Sequence, residues 1–397
     1  MATANTTGGV YGTVCTADQY EQSLGSADSS SPWISCLTHG QSIGLALTAE
    51  ASIISCVCVI GIFIWICWNI RWYRRKFGPN GDWRLFEWPA DIYMFALFVF
   101  DFVQGMGGVL DVRWAHNGIV TTGHYCTAQG IVQQIGELGV ALITLLLACH
   151  TFVAALWRVG LQARGVAVGL IFLACVFIAL WVGIGARSHH NYETPTPYWC
   201  WISPQYKGER LGGEYIWLWI ALFASALLYV PLYFWTEGRF SVDEDRWYNF
   251  QKSNPDRRVE YSQRRAALGM LLYPLAYCFV VLPLSVTRWR SFNNHHHVSS
   301  AGTFFGVTMF NLSGAINVVL FLVVRPQLLL FPRPEVLAEP EIELELELAP
   351  PGGSAICSDP VKLHHSPEPT SAALGDEDSR ISPALPRASS SRLSDDI

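Results

Sequence analysis

Residues 165–186 read GVAVGLIFLACVFIALWVGIGA, twenty-two positions without one charged, amide or hydroxyl side chain, set between Arg164 and Arg187. Wound as a helix at ~1.5 Å per residue, the stretch is about 33 Å long, enough to cross the hydrocarbon core of a bilayer. The composition agrees. Of 397 residues, 51% are hydrophobic and 15% charged, whereas an ordinary soluble domain carries roughly 25% charged residues. A chain of this kind cannot clothe a water-facing surface, which excludes a soluble enzyme. A transmembrane barrel is excluded too, because its strands alternate apolar and polar residues over about 10 positions, and these blocks do not.

Outward from that stretch lie six more blocks of the same kind: 43–70, 89–110 and 127–157 before it, and 215–235, 266–286 and 301–324 after it. The pattern predicts an all-α integral membrane protein, a seven-transmembrane helix bundle over 43–324. Residues 1–42 form an extracellular N-terminal segment and residues 325–397, rich in Pro, Ser, Glu and Asp, a disordered cytoplasmic tail. The first block begins too late, and is too long, for a cleaved signal peptide.

Basic residues set the orientation. Sixteen Lys and Arg fall in or next to the loops that are cytoplasmic when the N-terminus lies outside, among them Arg71, Arg158, Arg257, Arg258, Arg264 and Arg265. Only six, Arg113, Arg187, Lys207, Arg210, Arg288 and Arg290, fall on the opposite side, and the first 41 residues contain none. The prediction is N-terminus outside, C-terminus in the cytoplasm, in a multi-pass plasma-membrane protein. Four cysteines, Cys15, Cys36, Cys126 and Cys200, then lie outside the cell, where disulfides persist. The pairing favoured is Cys126 with Cys200 and, less firmly, Cys15 with Cys36; free thiols or another pairing stay open. Asn5-Thr6-Thr7 is a glycosylation sequon on the same side.

Ionisable and amide groups at membrane depth are costly and mark functional candidates. Asp101 and Glu137 lie mid-span, with Gln133, Gln134, Asn311, Ser313 and Asn317 in the same zone, a predicted network between spans two, three and seven. Whether it serves packing, ligand binding or switching is open. Trp33, Trp114, Trp199, Trp201, Trp217 and Trp289 form an aromatic outer rim that either stacks on a ligand or anchors at the headgroups. The basic run into span six, ending Arg264-Arg265, either contacts a partner or fixes topology against anionic lipid. No Lys lies in the last span, which excludes a retinal Schiff base, and His150 is the sole intramembrane histidine, too few for a membrane zinc hydrolase. No metal, cofactor, enzymatic activity or nucleic-acid partner is expected.

Particular segments resemble a known family. They are Tyr198-Trp199-Cys200-Trp201-Ile202, the run Glu214 to Trp219, His150-Thr151-Phe152, Leu272 to Tyr277 with Val281 to Leu284, and Gly314-Ala315-Ile316-Asn317. Together, over roughly residues 42 to 331, they resemble the fungal and slime-mould cyclic-AMP-receptor-like G-protein-coupled receptors, including the fungal glucose-receptor-like group. The resemblance implies a receptor that binds an extracellular ligand of unknown class and opens an inner crevice for a heterotrimeric G protein. His150, Pro274, Pro283 and Asn317 are then switch candidates, and the tail serines offer sites for a kinase or regulator. The alternative from another class is a transporter or a proton or ion channel with Asp101 and Glu137 as its relay.

Overall fold

The computed structural model describes residues 12–27, 34–77, 89–157, 164–189, 191–236, 241–242, 250–251, 259–292 and 299–324. All lie in the first of two compact units, Met1–Arg333; the second, Pro334–Ile397, lies outside the described residues, as do Asn5, Trp33, Arg158, Arg257 and Arg258.

The described chain is mostly helix: α1 Ala17–Ala27, α2 His39–Phe77, α3 Pro89–Val109, α4 Asp111–Asn117, α5 His124–Trp157, α6 Arg164–Ser188, α7 Lys207–Arg210, α8 Ile216–Thr236, α9 Val259–Phe292, α10 Ser300–Asn311 and α11 Ser313–Val324. Three two-stranded antiparallel pieces join them: β1 (Ile34–Cys36) with β2 (Ile119–Thr121), β3 (Glu193–Pro195) with β4 (Cys200–Ile202), and β5 (Ser241–Val242) with β6 (Phe250–Gln251). Among the described residues six helical stretches are long and apolar enough to cross a membrane: His39–Lys76, Pro89–Asn117, His124–Val153, Arg164–Ser188, Lys207–Leu228 and Ser300–Val323. The distribution of side chains fits lipid as the solvent. Ile64, Phe172, Leu180, Phe223, Leu227 and Val323 point outward and are largely exposed, while Asp101, Gln104, Gln129, Gln134 and Asn311 are buried. A water-soluble protein shows the reverse.

Local signals set the helix ends. α3 opens on Pro89, which lacks the N–H that a first helical residue leaves unpaired anyway. α10 is capped by Ser299, whose Oγ accepts from the Gly302 N–H at 3.2 Å. α4 ends at Gly118, φ +67°, a left-handed position that an L side chain adopts only with strain. α5 packs against α3, α6, α8, α9 and the β3–β4 hairpin. Its approach to α3 is close because Gly136 faces the backbone of Gln104, where a Cβ would collide.

Each apolar block read from the sequence contains a helix within several residues of its expected limits. Ahead of the first block, α1, the Cys15–Cys36 disulfide and β1 build a small structured cap. Residues 207–215 form α7 and a π-helical turn, Leu211–Tyr215, ahead of α8. The last block is bent at Leu312. α9 also begins at Val259, so Arg264 and Arg265 lie on a helical extension ahead of the apolar segment.

Candidate functional site

Two polar clusters occupy the bundle. The first lies at the disulfide-bearing end, beneath the β3–β4 hairpin. Every residue of its two strands is buried, and Cys200 is bonded to Cys126 in the first turn of α5. The Gln129 side chain, one turn further on, acts as a hub. Its Oε1 accepts from the Trp114 indole N–H and the Cys200 backbone N–H, and its Nε2 donates to Asp111 Oδ1. Below it Trp199 and Trp201 are almost wholly buried. The guanidinium of Arg210 lies 4.6 Å from the Trp201 ring centre, and that of Arg288 lies 5.0 Å from Trp199 and 5.4 Å from Trp201. Two cations thus share one indole face system, an arrangement that gains from the ring quadrupoles and costs mutual repulsion. The offsetting charge is Glu137 on α5 and Glu214 in the π-helical turn, which interact with each other and electrostatically with Arg288. The wide π-helical turn that presents Arg210 and Glu214 is possible because Gly213 leaves room for the Trp181 indole.

This cluster is polar but incompletely bonded. Glu214 Oε2, Arg210 Nε, Arg288 Nε, Gln133 Oε1 and Trp181 Nε1 are buried without a hydrogen-bond partner. Native interiors satisfy most such atoms, so these unpaired donors and acceptors mark the cluster, called the chamber below, as the candidate site. Beside it, in the hairpin and outside the spans, Glu193 is pushed up to about 7 and Tyr192 to about 12, both by burial.

The second cluster lies along α2, α3, α10 and α11. Asp101 Oδ2 accepts from Asn317 Nδ2 at 2.8 Å and Oδ1 from Ser313 Oγ at 3.1 Å. Asn311 Nδ2 donates to the Thr48 carbonyl at 3.3 Å, and Gln104 Nε2 to that of Phe310 at 3.1 Å. Ser55 of α2 explains the bend at Leu312. Its Oγ donates to the Asn311 carbonyl at 2.5 Å and accepts from the Ala315 N–H at 3.3 Å, so one hydroxyl is inserted where a single backbone bond would close the helix. Gly314 makes this possible, since a Cβ there would sit 3.2 Å from the Asp101 Cβ and 3.3 Å from that of Ser55.

Both predicted disulfides form. The predicted network is corrected in its membership: Asp101, Asn311, Ser313 and Asn317 are joined, but to span one through Ser55 and Thr48, not to span three. Gln133 packs against Gly107 instead, and Glu137 turns to Glu214. Asp101 and Glu137 therefore belong to different clusters. The aromatic rim is corrected too: Trp114, Trp199 and Trp201 are buried, and of its described members only Trp289 is strongly exposed. His150 lies with its Nδ1 3.5 Å from the Tyr93 hydroxyl. Pro274 and Pro283 lie inside a continuous α9, and Arg71 is exposed on α2. Sequence reasoning missed Ser55, Gln129, Arg210, Glu214 and Arg288; the signal for the last three was a charge at the edge of an apolar block. Neither a protein-family model nor a curated protein matches the chain.

Proposed function

We propose that the protein is a plasma-membrane G-protein-coupled receptor: a seven-helix bundle, with α9 as the remaining span, N-terminus outside, that converts binding of an extracellular ligand into activation of a cytoplasmic heterotrimeric G protein. The observation that carries this reading is the placement of α9. Near one end its Arg288 lies against Trp199 and Trp201 in the incompletely bonded chamber; near the other it carries Arg264 and Arg265, some 24 residues or about 36 Å away. A ligand that draws Arg288 from the indoles acts directly on the helix that presents those basic residues. Pro274 and Pro283 each remove a backbone donor between the two ends, so the helix can bend there. A ligand shifts this equilibrium only by its preference for one arrangement over the other. The bent α10–α11 pair supports the same reading, because Phe304 of α10 packs on Tyr198 of the chamber's roof at 4.7 Å while Asn317 of α11 holds Asp101.

The test is nucleotide exchange on the host's G-protein α subunits by full-length protein in lipid nanodiscs, with and without neutralisation of Arg257, Arg258, Arg264 and Arg265. Exchange above empty nanodiscs that falls on neutralisation is the expected result. No exchange from any host subunit, together with a liposome ion flux abolished by Asp101→Asn, would replace the receptor with a transporter.

A further inference from the structure

We propose that the Arg71 end of α2 carries a binding site for an anionic phospholipid, with the headgroup phosphate between Arg71 and Arg75 and an acyl chain laid along Phe63, Ile64 and Cys67. A groove of about 610 Å³ runs along this face of the helix. Its apolar part is lined by Phe63, Ile64 and Cys67, its middle by Trp68, and its far part by Arg71, Trp72 and Arg75. These positions recur at intervals of three and four, so they form one stripe down the helix. From Phe63 to Arg75 the stripe is about 18 Å long, close to the depth of one leaflet, which is half of a ~30 Å core plus the start of the headgroup layer. Its chemistry changes along that length in the order a phospholipid's does: hydrocarbon, then an amphipathic indole, then cation.

Three further features favour a lipid phosphate over bare solvent. Arg71 and Arg75 are one helical turn apart, and two planar guanidinium forks at that spacing suit a single tetrahedral phosphate. From Ala51 to Phe77 the helix contains no Asp or Glu, and the ion pair found among the described residues, His189 with Glu209 at 3.3 Å, lies at the other end of the molecule. Trp68, 71% exposed, and Trp72, with Lys76 Nζ 5.1 Å from its ring centre, stand at the level where indoles meet glycerol and headgroup. The helix macrodipole accounts for cations in the last turn, Arg74, Arg75 and Lys76, but Arg71 lies a turn earlier, on the same face as the groove. The choice of leaflet rests on the orientation proposed above, which turns this end toward the cytoplasmic leaflet, where anionic lipids are concentrated.

The experiment titrates delipidated full-length protein with dioleoylphosphatidylserine or dioleoylphosphatidylcholine and counts bound lipids by native mass spectrometry. The wild type should bind phosphatidylserine about thirtyfold more tightly than phosphatidylcholine, the preference that two surface arginines confer. R71Q/R75Q should remove the preference, while R74Q/K76Q, which loses the same charge beside the stripe, should retain most of it. All four positions of contrast are surface-exposed, and an intact fold is read from melting temperatures equal to wild type; W68A supplies a second, uncharged variant that should shorten lipid residence without changing headgroup preference. Equal binding of the two lipids by wild type, or equal loss in both double variants, would overturn the site. So would a dimer that dissociates in W68A without any lipid preference, which would assign the groove to a second copy. None of these readouts involves nucleotide exchange, so failure here is separable from failure of the receptor reading.

Discussion

Asp101 and Glu214 are both buried carboxyl groups set in helices, and their surroundings differ in kind. Asp101 receives a hydrogen bond on each oxygen, from Ser313 and from Asn317, and the hydroxyl of Ser55 closes the bend next to it. Glu214 interacts with Glu137 yet leaves Oε2 without a hydrogen-bond partner, among arginine Nε atoms in the same condition. Apart from Gln104 Oε1, the Asp101 network is satisfied and holds one arrangement of helices, because any other leaves a further buried group unbonded at a cost of about 1 to 3 kcal/mol. An unsatisfied one is poised to accept something. The bundle therefore keeps a fixed joint in α2, α3, α10 and α11 and a receptive chamber between α5, α8, α9 and the hairpin.

The comparison breaks most readily at the chamber's roof. Cys200→Ser should release the hairpin from α5 and lower stability by about 2 to 4 kcal/mol, seen as a lower melting temperature in nanodiscs and reduced surface expression. An unchanged melting temperature would mean that the hairpin is held by Trp199, Trp201 and Gln129 without the disulfide. A step smaller is Asp101→Ala, which strands the donors of Ser313 and Asn317 and should cost about 1 to 3 kcal/mol. Glu214→Gln should cost less, because Oε2 already lacks a partner and the amide keeps one acceptor oxygen and adds a donor. Equal destabilisation by the two would remove the distinction between joint and chamber.

The parts of the molecule that were legible in the sequence are those governed by composition and by long-range bookkeeping of charge and sulfur. A run such as 165–186 has one physical solution in a bilayer, and four cysteines on one side limit the pairings. Asp101 and Asn317, 216 positions apart, were recognisable as partners because each is costly alone at mid-span. Ser55 was not, since a serine in a membrane helix ordinarily bonds to its own backbone, as Ser52 does to the Thr48 carbonyl. Arg210, Glu214 and Arg288 escaped because each lies at a span edge, where a charge reads as topology. Their convergence depends on the π-helical turn and on a hairpin whose buried face no periodicity in a three-residue strand can reveal. The same limit turned Trp199 and Trp201 from rim residues into the chamber's interior.

An effect of pH is expected at the seam between hairpin and bundle. Glu193, 5% exposed, packs against Gly130 of α5, and its Oε1 has no hydrogen-bond partner. Burial raises its carboxyl from 4.5 to about 7, so the folded state holds the proton more tightly than the unfolded chain does. Below about pH 4.5 both states are protonated and the contribution is fully present. Between about pH 4.5 and 7 the unfolded chain ionises first, stability falls with rising pH, and above that window the loss is complete. Tyr192 beside it, raised to about 12, stays neutral throughout. The difference in melting temperature between wild type and Glu193→Gln isolates this group, because the remaining carboxyls are common to both proteins. That difference should favour the wild type most at pH 4.5 and shift toward the variant up to about pH 7, then stay level. A difference that is flat from pH 4.5 to 8, or that moves in the opposite direction, would show that water or a cation reaches Glu193, and that the hairpin does not seal the chamber at that edge.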